Sequence, residues 1–266
     1  MGDLMDSYWQ LPPLSRTMAT AVFVSSACVY SGLISGGWFF FHPAYIFKLI
    51  PEVWRIPLSF MITMPKLSIL LDPYFLFSYL SQMEVGNPRF PRREDMVWYL
   101  IFVSSAIIII DQLVGYRFGS YLQALILALA YTCTQDQRGA KANFFFVTIP
   151  AQLVPYSMML VSLIAVGPHY AILQLIGLVA AHLYDFLTRL WPEFGGGYNL
   201  APTPGFLSRI VATPFQRVEH RGFGTAFRSA GSGTTGSSGS STGTGSGGPL
   251  PDAWKTRGKG NRLGGD

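Results

Sequence analysis

Residues 142–184 read ANFFFVTIPAQLVPYSMMLVSLIAVGPHYAILQLIGLVAAHLY, 43 positions without one Asp, Glu, Lys or Arg. A bilayer core is crossed by a helix of roughly 20 apolar residues, so this run is too long for one crossing and long enough for two. Gly167-Pro168 near its middle is a turn signal. The run therefore predicts two spans, 143–166 and 169–190. The whole composition agrees. Of 266 residues, 50% are hydrophobic, 15% aromatic and only 12% charged, with mean hydropathy +0.33. Soluble domains carry about one-quarter charged residues. A soluble enzyme, a disordered chain and a disulfide-rich secreted module are excluded.

The same charge rule divides the rest of the chain. Residues 17–47 contain no charge over 31 positions, which predicts a first span at 17–39 and an interfacial loop at 42–56 holding Pro43 and Pro51. A second, irregular span at 57–83 holds Pro65, Lys66, Asp72 and Pro73. Charges at membrane depth face a bundle interior or water, so Lys66 and Asp72 are candidates to line a wet groove. Short spans follow at 96–110 and 118–133. The expected fold is an all-α membrane protein, a six-transmembrane helical bundle over residues 1–192 with a flexible tail over 193–266. Six spans put both termini on one side. That side collects 15 of the 19 Lys and Arg residues, which by the positive-inside rule makes both termini cytosolic. In the tail, residues 231–248 are Gly, Ser and Thr only, a flexible tether. The start, MGDLMDSYWQ, lacks the pattern of a cleaved signal peptide. The two cysteines, Cys28 and Cys133, lie in apolar runs and make neither a disulfide framework nor a metal site; no metal or other cofactor is expected.

Several short patterns bear on chemistry. A rhomboid-type intramembrane serine protease would need a Gly-x-Ser-Gly loop before its fourth span and a His-x-x-Gly frame on its sixth. Here the loop reads Phe118-Gly119-Ser120-Tyr121, and the frame reads Gln174-Leu175-Ile176-Gly177. Gln is no general base near neutral pH, and His182 lies two turns further along. Gly177-x-x-x-Ala181, Gly32-x-x-x-Gly36 and Gly115-x-x-x-Gly119 are small-residue spacings that let helices approach closely in lipid. Trp54-Arg55 sits in the first loop, where Trp favours the interface and Arg forks to oxygen acceptors. Near the end, Trp254, Gly258, Gly260, Leu263 and Gly264 make an extended peptide with apolar anchors, suited to a groove or sheet edge on a partner.

Taken together these residues resemble the derlin family, the rhomboid-like pseudoproteases of the endoplasmic reticulum membrane. The resemblance rests on Trp54-Arg55, on Tyr74–Tyr79 followed by Met83-Glu84-Val85-Gly86, and on Gly177-x-x-x-Ala181-His182-Leu183-Tyr184. It continues in Thr203-Pro204-x-Phe206-Leu207 and in Gly258-x-Gly260-x-x-Leu263-Gly264, which is similar to the SHP box of derlins. Ala181 stands where the family carries a second glycine, and Trp254 lies further from the first glycine of the box than usual. The resemblance implies a non-catalytic role in retrotranslocation of misfolded proteins for degradation. Its implied partners are an AAA ATPase of the valosin-containing-protein class docked on the SHP box, an HRD-type ubiquitin ligase complex, misfolded clients and the bilayer itself, with no nucleic acid; whether copies of the chain form a homo-oligomer stays open. Short third and fourth spans would thin the bilayer locally. The alternative is an active rhomboid-type protease.

Overall fold

The computed structural model of the chain describes residues 2–211, apart from 47, 49, 50, 86, 88, 136, 138, 145 and 146. These fall in one compact unit, Met1–Gln216. The docking peptide Trp254 to Gly264 and the Gly/Ser/Thr tether lie outside the described residues.

Ten α-helices appear in order. They are α1 (Gly2–Gln10), α2 (Pro13–Tyr30), α3 (Pro43–Ile46), α4 (Arg55–Leu58), α5 (Ser68–Glu84), α6 (Arg93–Val114), α7 (Leu122–Gln135), α8 (Val154–Ala165), α9 (Pro168–Asp185) and α10 (Gly205–Ile210). Two antiparallel strands, β1 (Lys141–Phe144) and β2 (Val147–Pro150), stand before α8, with Lys141 opposite Pro150.

Local chemistry sets many of the ends. Proline opens α2 and α9, where its fixed φ suits the first turn and its missing N–H costs nothing. Glu94 and Asp95 lie in the first turn of α6, against the positive end of the helix dipole. Gly115 closes α6 at φ 84°, a left-handed turn that a side chain would strain. The Arg16 guanidinium donates to the carbonyls of Tyr8 and Trp9 and lies over both rings, 5.1 and 4.5 Å from their centroids. This holds α1 against α2.

Six of the helices alternate in direction through one bundle. Glu84 meets Leu14 and Ser15, while Thr63, ahead of α5, meets Ser26 and Tyr30, so α2 and α5 are antiparallel. Tyr99 meets Thr132 and Asp111 meets Tyr121, so α6 and α7 are antiparallel. Helix α7 is the axis. Every residue from Ala124 to Thr134 is buried, and α5, α6, α8 and α9 all pack on it.

Among the described residues two helices are long and apolar enough to cross a membrane, Arg93–Val114 and the α9 helix continued through π turns to Gly196. The others are shorter. At 1.5 Å per residue, the 14 residues of α7 reach about 21 Å and the 12 of α8 about 18 Å.

The boundaries depart from the sequence reading in four places. The first helix ends at Tyr30 rather than 39, and Gly32 and Gly36 lie beyond it, outside any long helix. Gly115 and Gly119 also fall in a connection, with φ 84° and 78°, so only Gly177 and Ala181 sit on a helix-packing face. The third helix has 22 residues, not a short 15. Lys141–Phe144 and Val147–Pro150 are paired strands rather than the start of the fifth predicted span, so the fold is not wholly α.

Candidate functional site: the seam between α7 and α9 and the loops that close it

Gln174 on α9 donates through Nε2 to Gln123 Oε1 on α7 at 3.3 Å. Two turns further along, the Tyr131 hydroxyl meets His182 Nδ1 at 2.9 Å. Both pairs are separated by 51 residues, so the helices run parallel and in register. Between the pairs lies Gly177. A Cβ there would stand 2.1 Å from the Ala124 carbonyl oxygen, so only glycine permits this approach. Ala181, 1% exposed, continues the contact face.

The Gln123 side chain also lies beside Asp72, as does the Met64 backbone N–H. Asp72 and Gln174 are buried at 5% and 2% exposure, and Thr63, next to Met64 in sequence, is buried too. Among the described residues Asp72 Oδ2, Gln174 Oε1 and Thr63 Oγ1 have no hydrogen-bond partner. A buried polar cluster thus joins α5, α7 and α9. Lys66 is not part of it. Lys66 is exposed and adopts φ 71° ahead of α5, and no ion pair joins it to Asp72 among the described residues. Gln123 was not singled out from the sequence; its signal was a lone amide in the apolar fourth run.

The same geometry bears on the protease alternative. Ser120 lies just before α7, and Gln123 faces Gln174, an amide facing an amide. His182 pairs with Tyr131, nine residues beyond Leu122, the first residue of the helix that Ser120 precedes, which is about 14 Å of rise. Proton transfer needs hydrogen-bond reach. His182 has none to Ser120.

The first loop is clamped over this end. Arg55, 9% exposed, pairs with Glu52 and donates to the carbonyls of Gly37 and Phe40, the latter at 3.2 Å. Its guanidinium lies 4.2 Å from the Tyr45 ring centroid, and the neighbouring Trp54 stacks on Trp38. One arginine therefore ties three stretches of loop together. The bond from Arg55 holds the Glu52 carboxyl below the usual carboxylate range, and Lys48 at 3.2 Å adds to it. Phe41 N–H donates to Gly119 O and Tyr121 N–H to Ser59 O, at 2.8 and 2.9 Å, which fastens the loop to the start of α7.

At the opposite end Glu84 accepts the N–H groups of Leu14 and Ser15 at 3.2 and 3.0 Å and the Ser15 hydroxyl at 3.1 Å. Its carboxylate caps the free donors of the α2 N-terminus. Arg89 pairs with Asp185 near the end of α9. Thr203 donates to Asp95 at 2.6 Å, and Trp98 donates to the Ala201 carbonyl at 3.2 Å, so the segment after α9 is fastened to α6.

Residues 11–205, which span all of these contacts, match the family model described as the Der1-like family. The chain belongs to the Der1-like family. Among curated proteins it is 29% identical to Derlin-1 of Bos taurus over 231 residues, covering 84% of this chain and 88% of that one. It is 28% identical to Derlin-1 of Homo sapiens over the same length and 27% identical to Derlin-1 of Arabidopsis thaliana over 214 residues, covering 77% and 76% of the two chains. The Der1-like match therefore takes in the arginine clamp of the first loop, the Glu84 cap, the Gly177 seam and the Thr203 contact.

Proposed function

We propose that this chain is a non-catalytic member of the Der1-like family that helps misfolded proteins leave the endoplasmic reticulum for degradation. In this reading the six alternating helices, α2 and α5–α9, cross the membrane, and both termini are cytosolic. The shortness of α8, about 18 Å against a hydrocarbon core of about 30 Å, draws the bilayer thin on its side of the bundle, where only Val154, Pro155 and Met158 of that helix are buried. Asp72, Gln123 and Gln174 offer polar groups inside the bundle. The tail carries the docking peptide Trp254, Gly258, Gly260, Leu263 and Gly264 to an AAA ATPase of the valosin-containing-protein class, beside an HRD-type ubiquitin ligase. The arginine clamp of Trp54-Arg55 keeps the first loop closed over the seam.

The observation that carries the reading is the Der1-like match across residues 11–205. The amide pair Gln123–Gln174 and the offset of His182 by about 14 Å along α7 weigh against an intramembrane serine protease. The test is co-purification of the ATPase with the full chain and with a chain lacking residues 254–266. The reading expects loss of the ATPase while the membrane unit melts unchanged. Equal recovery of the ATPase from both overturns the docking assignment.

A further inference from the structure

After α9 the chain returns to the bundle as a strap. Ala201 and Leu207 are buried, and Thr203 is half-buried between Pro202 and Pro204. Pro204 is extended at φ −65° and ψ 136°, just ahead of α10. Among the described residues no main-chain hydrogen bond ties 202–204 to the bundle. Side chains hold the strap instead. Thr203 Oγ1 donates to Asp95 Oδ1 at 2.6 Å, and Trp98 Nε1 donates to Ala201 O at 3.2 Å.

We propose that Thr203 is a phosphoacceptor for a proline-directed protein kinase, and that phosphorylation releases the strap from α6. A threonine followed by proline in extended backbone is the substrate form such kinases take, and Thr203 meets it once one side-chain bond opens. With MgATP as co-substrate, Thr203 Oγ attacks the γ-phosphorus. An Oγ–P bond forms, the bond from that phosphorus to the bridging β-phosphate oxygen breaks, ADP leaves, and the hydroxyl proton passes to the kinase's base. The product has lost the donor that bound Asp95. It also carries a charge of about −1.5 to −2 against that carboxylate, the arrangement in which phosphate disrupts a contact. The arginines that open α6 already have carboxylate partners: Arg92 pairs with Glu94 and Arg93 with Glu84, at 3.2 and 3.8 Å. The positive end of the α6 dipole already faces Glu94 and Asp95. Release would free the root of the tail that bears the docking peptide. The regulatory role rests on the proposed cytosolic side of this end, where ATP and kinases reside.

The test uses the full chain purified in detergent, a proline-directed Ser/Thr kinase and MgATP, with peptide mapping to separate Thr203 from Thr213, the other Thr-Pro pair. Strap release is read as the rate of tryptic cleavage after Arg209, which is exposed on α10. Phosphate at Thr203 should raise that rate about tenfold, the factor expected for one lost charge-assisted hydrogen bond. Thr203→Glu should raise it in the same direction, and phosphorylated Asp95→Asn should gain less, because the repulsion is gone. No phosphate at Thr203 while Thr213 is modified overturns the proposal, as does a phosphorylated chain cleaved at the parent rate. A kinase added outside sealed microsomes should also modify Thr203. Modification in detergent but not in microsomes overturns the cytosolic orientation and leaves the acceptor site standing.

Discussion

Gly177→Ala is the sharpest probe of the seam. An ideal Cβ at Gly177 lies 2.1 Å from the Ala124 carbonyl oxygen, 2.7 Å from its carbon and 2.8 Å from its Cα. Ordinary contact begins at 3.4 Å, so α7 and α9 must separate by 3.4 less 2.1, or 1.3 Å. The obstacle is helix backbone, which cannot swing aside as a side chain would. Overpacking of this kind costs about 1–3 kcal/mol. The Gln174–Gln123 bond, already 3.3 Å long, is lost on the same movement, adding about 1 kcal/mol. At about 2–4 °C per kcal/mol for a unit of this size, a loss of about 2–4 kcal/mol should lower the melting temperature by about 4–16 °C. Cys133 on α7 is 4% exposed, so its reaction with a thiol reagent during heating, in a Cys28→Ser background, reports opening of the seam. Ala181→Gly is the comparison. It removes one buried methyl and adds a helix glycine, for about 1–2 kcal/mol in all. A Gly177→Ala chain that melts within about 1 °C of the parent would refute the close-approach reasoning.

Three further outcomes follow from the loops and the polar cluster. Glu52 has its carboxyl pKa depressed by Arg55, so its contribution to loop closure is present above the ordinary value of 4.5 and is lost as pH falls through the lower folded value; fluorescence of the stacked Trp38 and Trp54 should change in that acid window, and the change should be absent in Arg55→Ala. Glu84→Gln keeps the shape of the cap but removes its charge from three donors and Arg93, and should cost about 1–2 kcal/mol in the thiol assay. Gln123→Leu strands the buried Gln174 amide, which loses its acceptor, and should destabilise by about 1–3 kcal/mol.

Much of the helix order was legible from charge-free runs, and Gly167-Pro168 marks the observed turn between α8 and α9. Charge failed as a boundary marker where a charge has a local partner. Asp111 is buried inside α6 with the Tyr121 hydroxyl 2.7 Å from it, and Arg93 to Asp95 form the first turn of the same helix. The third helix therefore outgrows its apolar stretch. Residues 141–150 read as the start of a span because a Phe-rich run with Val and Ile suits a buried helix and a strand alike. The proline-rich second segment conceals a register choice: Pro65 and Lys66 precede α5, while Pro73 is accommodated inside it. In the site, Trp54-Arg55 and Gly177 were visible as short patterns, but what they touch was not. Arg55 works through carbonyls 15 and 18 residues away, and the place of Gln123 depends on three helices meeting.

The proposed role stands or falls most directly on client turnover. Cells lacking their own derlins are supplied with this chain, with Ser120→Ala, or with a chain ending before residue 254, and the half-life of a misfolded endoplasmic reticulum client is followed by pulse-chase. The account predicts full rescue by the parent and by Ser120→Ala, and loss of rescue by the shortened chain at equal membrane abundance. Loss of rescue in Ser120→Ala, with rescue kept by the shortened chain, would contradict it and return the chain to the proteases.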